Sequence, residues 1–242
     1  MATETRSSRT DLAAALLSAL DGRELLDHPF YQRWSAGRLE RSELAGYASQ
    51  YRAFEAALPA VLHAVHGRLA AEGRTDAAAL VARNLADELE HPEPHLALFD
   101  RFADSVRDGR PADEPGPAAV ALVDTYEGLA EESAVAALAG LAAYEVQAPA
   151  IARSKADGLR LLYGIDGSGT AFWDVHADMD ADHGEWALDA LSAADASAGE
   201  VGDAAARAAA SWWALLDERE AEAPPQPSSV PTTETNETIS PG

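Results

Sequence analysis

The sequence predicts an all-α protein, a bundle of seven or eight helices. Alanine and leucine dominate it, β-branched residues are sparse, and apolar side chains recur at three- and four-residue spacing. That composition and that period belong to amphipathic helices, not strands. The first helix opens near Asp11, capped by Thr10 or Asp11, and stops at Gly22. A short helix follows Pro29 and runs to Gly37. Leu39 to Ser42 then leads into a long helical stretch reaching Gly73, interrupted by Pro59. Thr75-Asp76 caps the next helix, which Pro92 and Pro94 bend or break, because each ring removes an amide donor and clashes with the preceding turn. The helical pattern resumes at His95 and fades at Gly109. After a Pro/Gly/Asp loop from Arg110 to Pro117, helices are expected over Ala118–Glu131, Ala134–Gly158, Thr170–Ala194 and Gly199–Glu220.

The domain is expected to cover residues 11–220, with 1–10 and 221–242 disordered. The last segment turns to Pro, Ser, Thr and Glu and has too little apolar surface to offset its ordering entropy. Across the 242 residues, 41 acidic side chains face 18 basic ones, a net charge of −23. So acidic a surface repels phosphate backbones and anionic membranes, so neither nucleic acid nor membrane is expected as a partner. No cysteine is present, which excludes disulfides, thiolate metal sites and cysteine nucleophiles. No uncharged apolar run reaches the roughly 18 residues of a membrane span, and the N-terminus does not read as a signal peptide. The expected location is cytoplasmic.

Without cysteine, a metal site must use Asp, Glu and His, a set suited to iron or manganese. In His176-Ala-Asp-Met-Asp180-Ala-Asp-His183, three such groups fall within about 60° on one helix face. A second cluster, Glu88-Leu-Glu90-His91-Pro-Glu93-Pro-His95, offers Glu88 with either His91, at Glu-x-x-His spacing, or His95, two turns away if the helix persists. The prolines leave that choice open. Glu145 stands alone in an apolar helix of small side chains, where an unpaired carboxylate costs several kcal/mol. A cation would resolve that cost, as would an ion pair with Arg153 or Lys155. Each cluster also admits a plain reading as a solvated acidic face. Together they supply what a two-iron site needs.

These segments resemble the haem-oxygenase-like diiron oxidases, relatives of the TenA and PqqC proteins. The likeness is carried by His28-Pro29-Phe30-Tyr31 with Trp34, Gly37 and Tyr47, by Asn84 to Glu88 with His95, by Tyr144-Glu145 through Lys155 to Gly158, and by Phe172 to His183, and it spans about residues 12 to 216. It implies a haem-oxygenase-like bundle with metal ligands Glu88, His95, Glu145, His176, Asp180 and His183. His91 is second choice for His95, because one branch spaces that pair three apart. Within the family the likeness is nearest to the CADD-type para-aminobenzoate synthases, which are thought to convert one of their own tyrosines into product. On that resemblance Tyr31 is the sacrificed tyrosine, Tyr47 a second relevant one and Lys155 the amine donor. Lys155 is also the only lysine in the chain. One position departs: Leu89 follows Glu88 where the CADD type has a second glutamate.

The resemblance implies an O₂-activating oxidoreductase with two irons, manganese being admitted in place of one, and an external reductant. Its small substrate, amino-acid-like or an amine or carboxylate, would sit among Phe30, Tyr144 and Trp173. A homodimer is expected because relatives commonly form one. Two alternatives stand beside it: a metal-free TenA- or PqqC-like protein of cofactor metabolism, and a non-catalytic helical binding protein.

Overall fold

Proline and glycine set most of the helix boundaries. The computed structural model describes residues 7–90, 92–178 and 180–223, without the side chains of Asp178 and residues 180–184. Among the described residues there are eleven α-helical segments and no strand: α1 (Arg9–Leu20), α2 (Pro29–Ser35), α3 (Arg41–Ala71), α4 (Thr75–Glu90), α5 (His95–Arg107), α6 (Pro117–Glu132), α7 (Ala134–Glu145), α8 (Ala148–Leu162), α9 (Ala171–Asp178), α10 (Asp180–Ala193) and α11 (Ala198–Ala221).

The all-α expectation is met, with some boundaries corrected. Helix α1 begins two residues ahead of the expected domain boundary. Its cap is Ser8, whose hydroxyl accepts from the Asp11 amide while the Asp11 side chain accepts from the Ser8 amide. Ser7, inside the segment expected to be disordered, accepts a hydrogen bond from the Ala198 amide. The remainder of that segment, 1–6, and the tail from 224, with its Asn236-Glu-Thr238 triplet, lie outside the described residues. The stretch read as one helix over 134–158 divides at Val146–Gln147. Pro149 explains the division: it cannot donate to the Glu145 carbonyl, and its ring crowds that same carbonyl. The stretch 170–194 appears as α9 and α10 on either side of Met179.

Helix α3 runs 31 residues with Pro59 inside it and packs against α4, α5 and α6. Its buried stripe includes Leu44, Tyr47, Tyr51, Phe54, Glu55, Leu58, Leu62 and Val65. Helix α7 is the central element. All ten residues from Ala134 to Ala143 are buried, as a helix apolar all round must be. Around it pack α11, α6, α10 and α3. Small side chains let these helices approach closely: a Cβ on Gly140 would lie 2.6 Å from Leu129 Cδ1. The stretch Ala134–Leu162 is by length and composition one candidate membrane span, which the sequence reading did not count. Its most apolar window is 67% buried inside the bundle, as a core helix would be.

Helix α2 is pinned across the bundle by Arg33, which donates to Glu43 on α3 at 2.5 Å and to Glu220 on α11 at 3.0 Å. Its Trp34 lies against α8 at Gly158, where an added Cβ would meet the indole Nε1 at 2.8 Å. A well-packed core absorbs such an intrusion poorly. Gly158→Ala is therefore expected to destabilise the chain by about 1–3 kcal/mol in urea unfolding, outweighing the better helix propensity of alanine. Equal or higher stability would show that Trp34 moves aside freely.

Candidate metal centre and tyrosine–lysine cluster

Glu88 projects from the last turn of α4 and His95 is the first residue of α5, with Pro94 as its N-cap. The helix does not persist across the two prolines, so the seven-residue spacing does not act through a shared helix face. The two side chains meet because the chain turns: His95 Nδ1 lies 3.0 Å from Glu88 Oε2, and His95 is fully buried. His176 arrives from α9, its ring centroid 4.7 Å from that of His95. Glu88, His95 and His176 each offer a ligand atom, all within 4.8 Å of one another. The His176 Nδ1 donates to the Phe172 carbonyl at 2.7 Å. A carbonyl can only accept, so Nδ1 carries a proton and Nε2 is the ring atom left to bind a metal.

A cavity of about 20 Å³ opens beside this trio, lined by Tyr51, Glu55, Glu88, Tyr144, Glu145 and His176 together with apolar side chains. That is space on the order of one water molecule. Glu145, the last residue of α7, enters it where Pro149 ends the helix. Burial and the neighbouring Glu88 push the Glu145 carboxyl up to about 8, with His95 pulling the other way. Glu55, from α3, was not singled out from the sequence. It is 5% exposed, and burial together with Glu88 pushes its carboxyl up to about 8 as well. The signal was present, because Glu55 falls on the apolar stripe of α3 one turn from Tyr51 and from Leu58. The side chains of Asp180 and His183, and all of His91, lie outside the described residues.

A second cluster adjoins the first. Tyr31 on α2 and Tyr47 on α3 are buried with their hydroxyls 2.8 Å apart. Lys155 on α8 is 2% exposed and its Nζ donates to Tyr31 Oη at 2.8 Å and to the Tyr47 hydroxyl. Aromatic rings enclose the amine, with centroids at 4.2 Å for Trp173, 4.4 Å for Tyr31, 4.6 Å for Tyr47 and 5.2 Å for Tyr51. Such rings favour an ammonium, and so does the carboxylate of Glu55, but burial dominates and holds the Lys155 pKa well below its ordinary value. Burial likewise raises the Tyr31 phenol. Burial thus shifts both groups toward their uncharged forms, and an unprotonated amine is a nucleophile. Phe30 stacks on Tyr47 at 5.5 Å, and Trp173 packs against Tyr51 at 6.0 Å. The two clusters are joined through Tyr51, whose hydroxyl lies 2.8 Å from that of Tyr144 and whose ring is 5.6 Å from Tyr47.

The donor set suits iron. Carboxyl groups and imidazoles converge on a water-poor chamber, and Glu88 holds the Glu55 and Glu145 pKa values up, a crowding that a cation would relieve.

Comparison with known proteins agrees. Residues 45–216 match a family described as an iron-containing redox enzyme. A 4-aminobenzoate synthase from Nitrosomonas europaea is 34% identical over 235 residues, covering 90% of this chain and 92% of that protein. Among solved structures, a CADD-like protein of unknown function from Nostoc punctiforme superposes with TM-score 0.70 at 19% identity, covering 89% of this chain and 98% of that one. A domain of unknown function with a heme oxygenase-like fold from Shewanella denitrificans gives TM-score 0.71 at 15% identity, covering 90% and 94%. At those identities the two structures show the fold, which is haem-oxygenase-like.

The raised carboxyls give the metal-free chain a defined pH dependence. In the folded state Glu55 and Glu145 keep their protons up to about 8, whereas unfolded they lose them near 4.5. Between those limits the folded state binds more protons, so stability falls as pH rises, by up to about 1.4 kcal/mol per pH unit for each group. Chelator-treated protein is expected to lose stability relative to a Glu55→Gln/Glu145→Gln double variant as pH goes from 5.5 to 8 in urea titrations. Parallel pH profiles for the two proteins would contradict the assignment.

Proposed function

The chain belongs to the family of iron-containing redox enzymes, and from that membership we propose that it is a 4-aminobenzoate synthase of the CADD type, building product from its own Tyr31 with nitrogen from Lys155. The observation that carries this reading is the 2.8 Å contact between the chain's only lysine and the Tyr31 hydroxyl, inside an aromatic cage adjoining the carboxylate–histidine chamber. Family membership also displaces the metal-free and non-catalytic alternatives.

Glu88, His95, Glu145 and His176, with Asp180 and His183 from α10, would hold two irons, and the same donors admit manganese at one position. Bound iron supplies the O₂ chemistry. The chain's own groups do the rest. Lys155, whose pKa burial holds well below its ordinary value, donates to the Tyr31 hydroxyl and so stands beside the ring carbon that bears that oxygen, which its nitrogen would attack. In the overall change a carbon–nitrogen bond forms there as the carbon–oxygen bond breaks and the oxygen leaves as water. The Lys155 Cε–Nζ bond is then broken by two-electron oxidation to the imine and its hydrolysis, leaving Cε as an aldehyde. The Tyr31 Cα–Cβ bond also breaks, and Cβ leaves as the carboxylate carbon, with O₂ as the oxidant of both cleavages and an external reductant supplying the remaining electrons. Tyr47 holds both partners in register by bonding each of them. Trp34, Trp173 and Phe30 exclude water from the amine.

The test uses full-length protein made with ring-labelled tyrosine and nitrogen-15 lysine, loaded with Fe(II) and exposed to O₂ with a reductant. Labelled 4-aminobenzoate is expected at no more than one molecule per chain, with a matching mass change at Tyr31, and Tyr31→Phe or Lys155→Arg should abolish it. Unlabelled product from an added substrate, with the chain mass intact, would replace this reading with that of an ordinary oxygenase.

A further inference from the structure

The motifs that mark the metal centre place ligands on α4, α5, α7, α9 and α10, and none on α3, the longest helix and one wall of the same cavity. We propose that Glu55 of α3 is an additional oxygen ligand of that centre. The inference rests on the two-iron reading above and concerns a residue outside the motifs that carry it.

Glu55 occupies the buried stripe of α3, between Tyr51 one turn before and Leu58 one turn after, and is 5% exposed. A carboxylate in that setting needs a compensating partner, since burial alone costs several kcal/mol. Its surroundings identify the partner. Glu55 lines the cavity of about 20 Å³ together with Glu88, Glu145 and His176. It feels the charges of Glu88, His95 and Glu145 on one side, and its own is felt by Tyr47, Tyr51, Tyr144 and Lys155 on the other. A carboxylate has two oxygens, so Glu55 can meet the neighbouring Tyr51 hydroxyl with one and a metal with the other.

Charge balance favours the same assignment. Glu88, Glu145 and Asp180 carry three negative charges against the four positive charges of two divalent ions. Glu55 supplies the fourth, and the chamber becomes neutral with all its carboxylates ionised, the cheapest state for a buried cluster. The arrangement also makes Glu55 the direct link between metal and tyrosine–lysine cluster, through Tyr51.

Anaerobic titration of metal-depleted full-length protein with Co(II), followed by visible absorbance and equilibrium dialysis, tests this. Wild type is expected to bind two Co(II). Glu55→Gln is expected to keep one site and weaken the other by roughly ten- to a hundred-fold, with an altered Co(II) band shape. Glu55→Leu, which matches the apolar stripe, should do the same while keeping helical circular dichroism. Two Co(II) bound by both variants with wild-type affinity and spectrum would overturn the assignment and leave the two-metal reading intact. No Co(II) bound by wild type would overturn both.

Discussion

Carboxyl groups crowded into one small chamber inside an apolar bundle are the constraint from which the rest of this structure follows. Glu55, Glu88 and Glu145 reach that chamber from three helices, and Glu88 raises the cost of ionising both of the others. Burial and that crowding push the Glu55 and Glu145 carboxyls up to about 8, a cost that a cation in the chamber would relieve. The bundle's packing keeps them there: α7 is buried on every side and ends at Glu145, so the carboxylate is delivered by the most rigidly enclosed helix in the molecule.

Two proline-bearing breaks position the side chains of the chamber. Pro94 starts α5 so that His95 is turned back onto Glu88, and Pro149 ends α7 so that Glu145 sits at a helix end and not in mid-helix. Either helix, if continuous, would carry its ligand onward along its own axis. The tyrosine–lysine cluster depends on the same enclosure in a different way. Its groups are useful because they are dry, and burial disfavours the charged amine and makes the phenols reluctant to ionise.

Much of this was legible in the sequence, and the exceptions share a physical cause. The helical period, the proline breaks, and the grouping of Glu88, His176 and a nearby histidine followed from spacing and residue type. The choice between His91 and His95 did not, because a two-proline turn carries no periodicity. Glu145 stood out as a lone acid in an apolar helix. Glu55 obeys the same logic and was overlooked because α3 is amphipathic, and a glutamate on an amphipathic helix passes for surface until its face is known. The division of 134–162 into α7 and α8 needed the proline at 149 to be weighed against an apolar run that otherwise favours one helix. The cap at Ser8 lay ahead of the first apolar residue by more than the expected step.

The single lysine has a consequence for handling the molecule. Every other basic side chain is arginine, and Lys155 is sealed behind aromatic rings, so acylating reagents find almost no side-chain amine on the folded surface. What would be a background of labels in an ordinary protein is here one chemical address. Modification at Lys155 therefore reports each moment the core opens, and its rate is a direct clock for access to the buried cage.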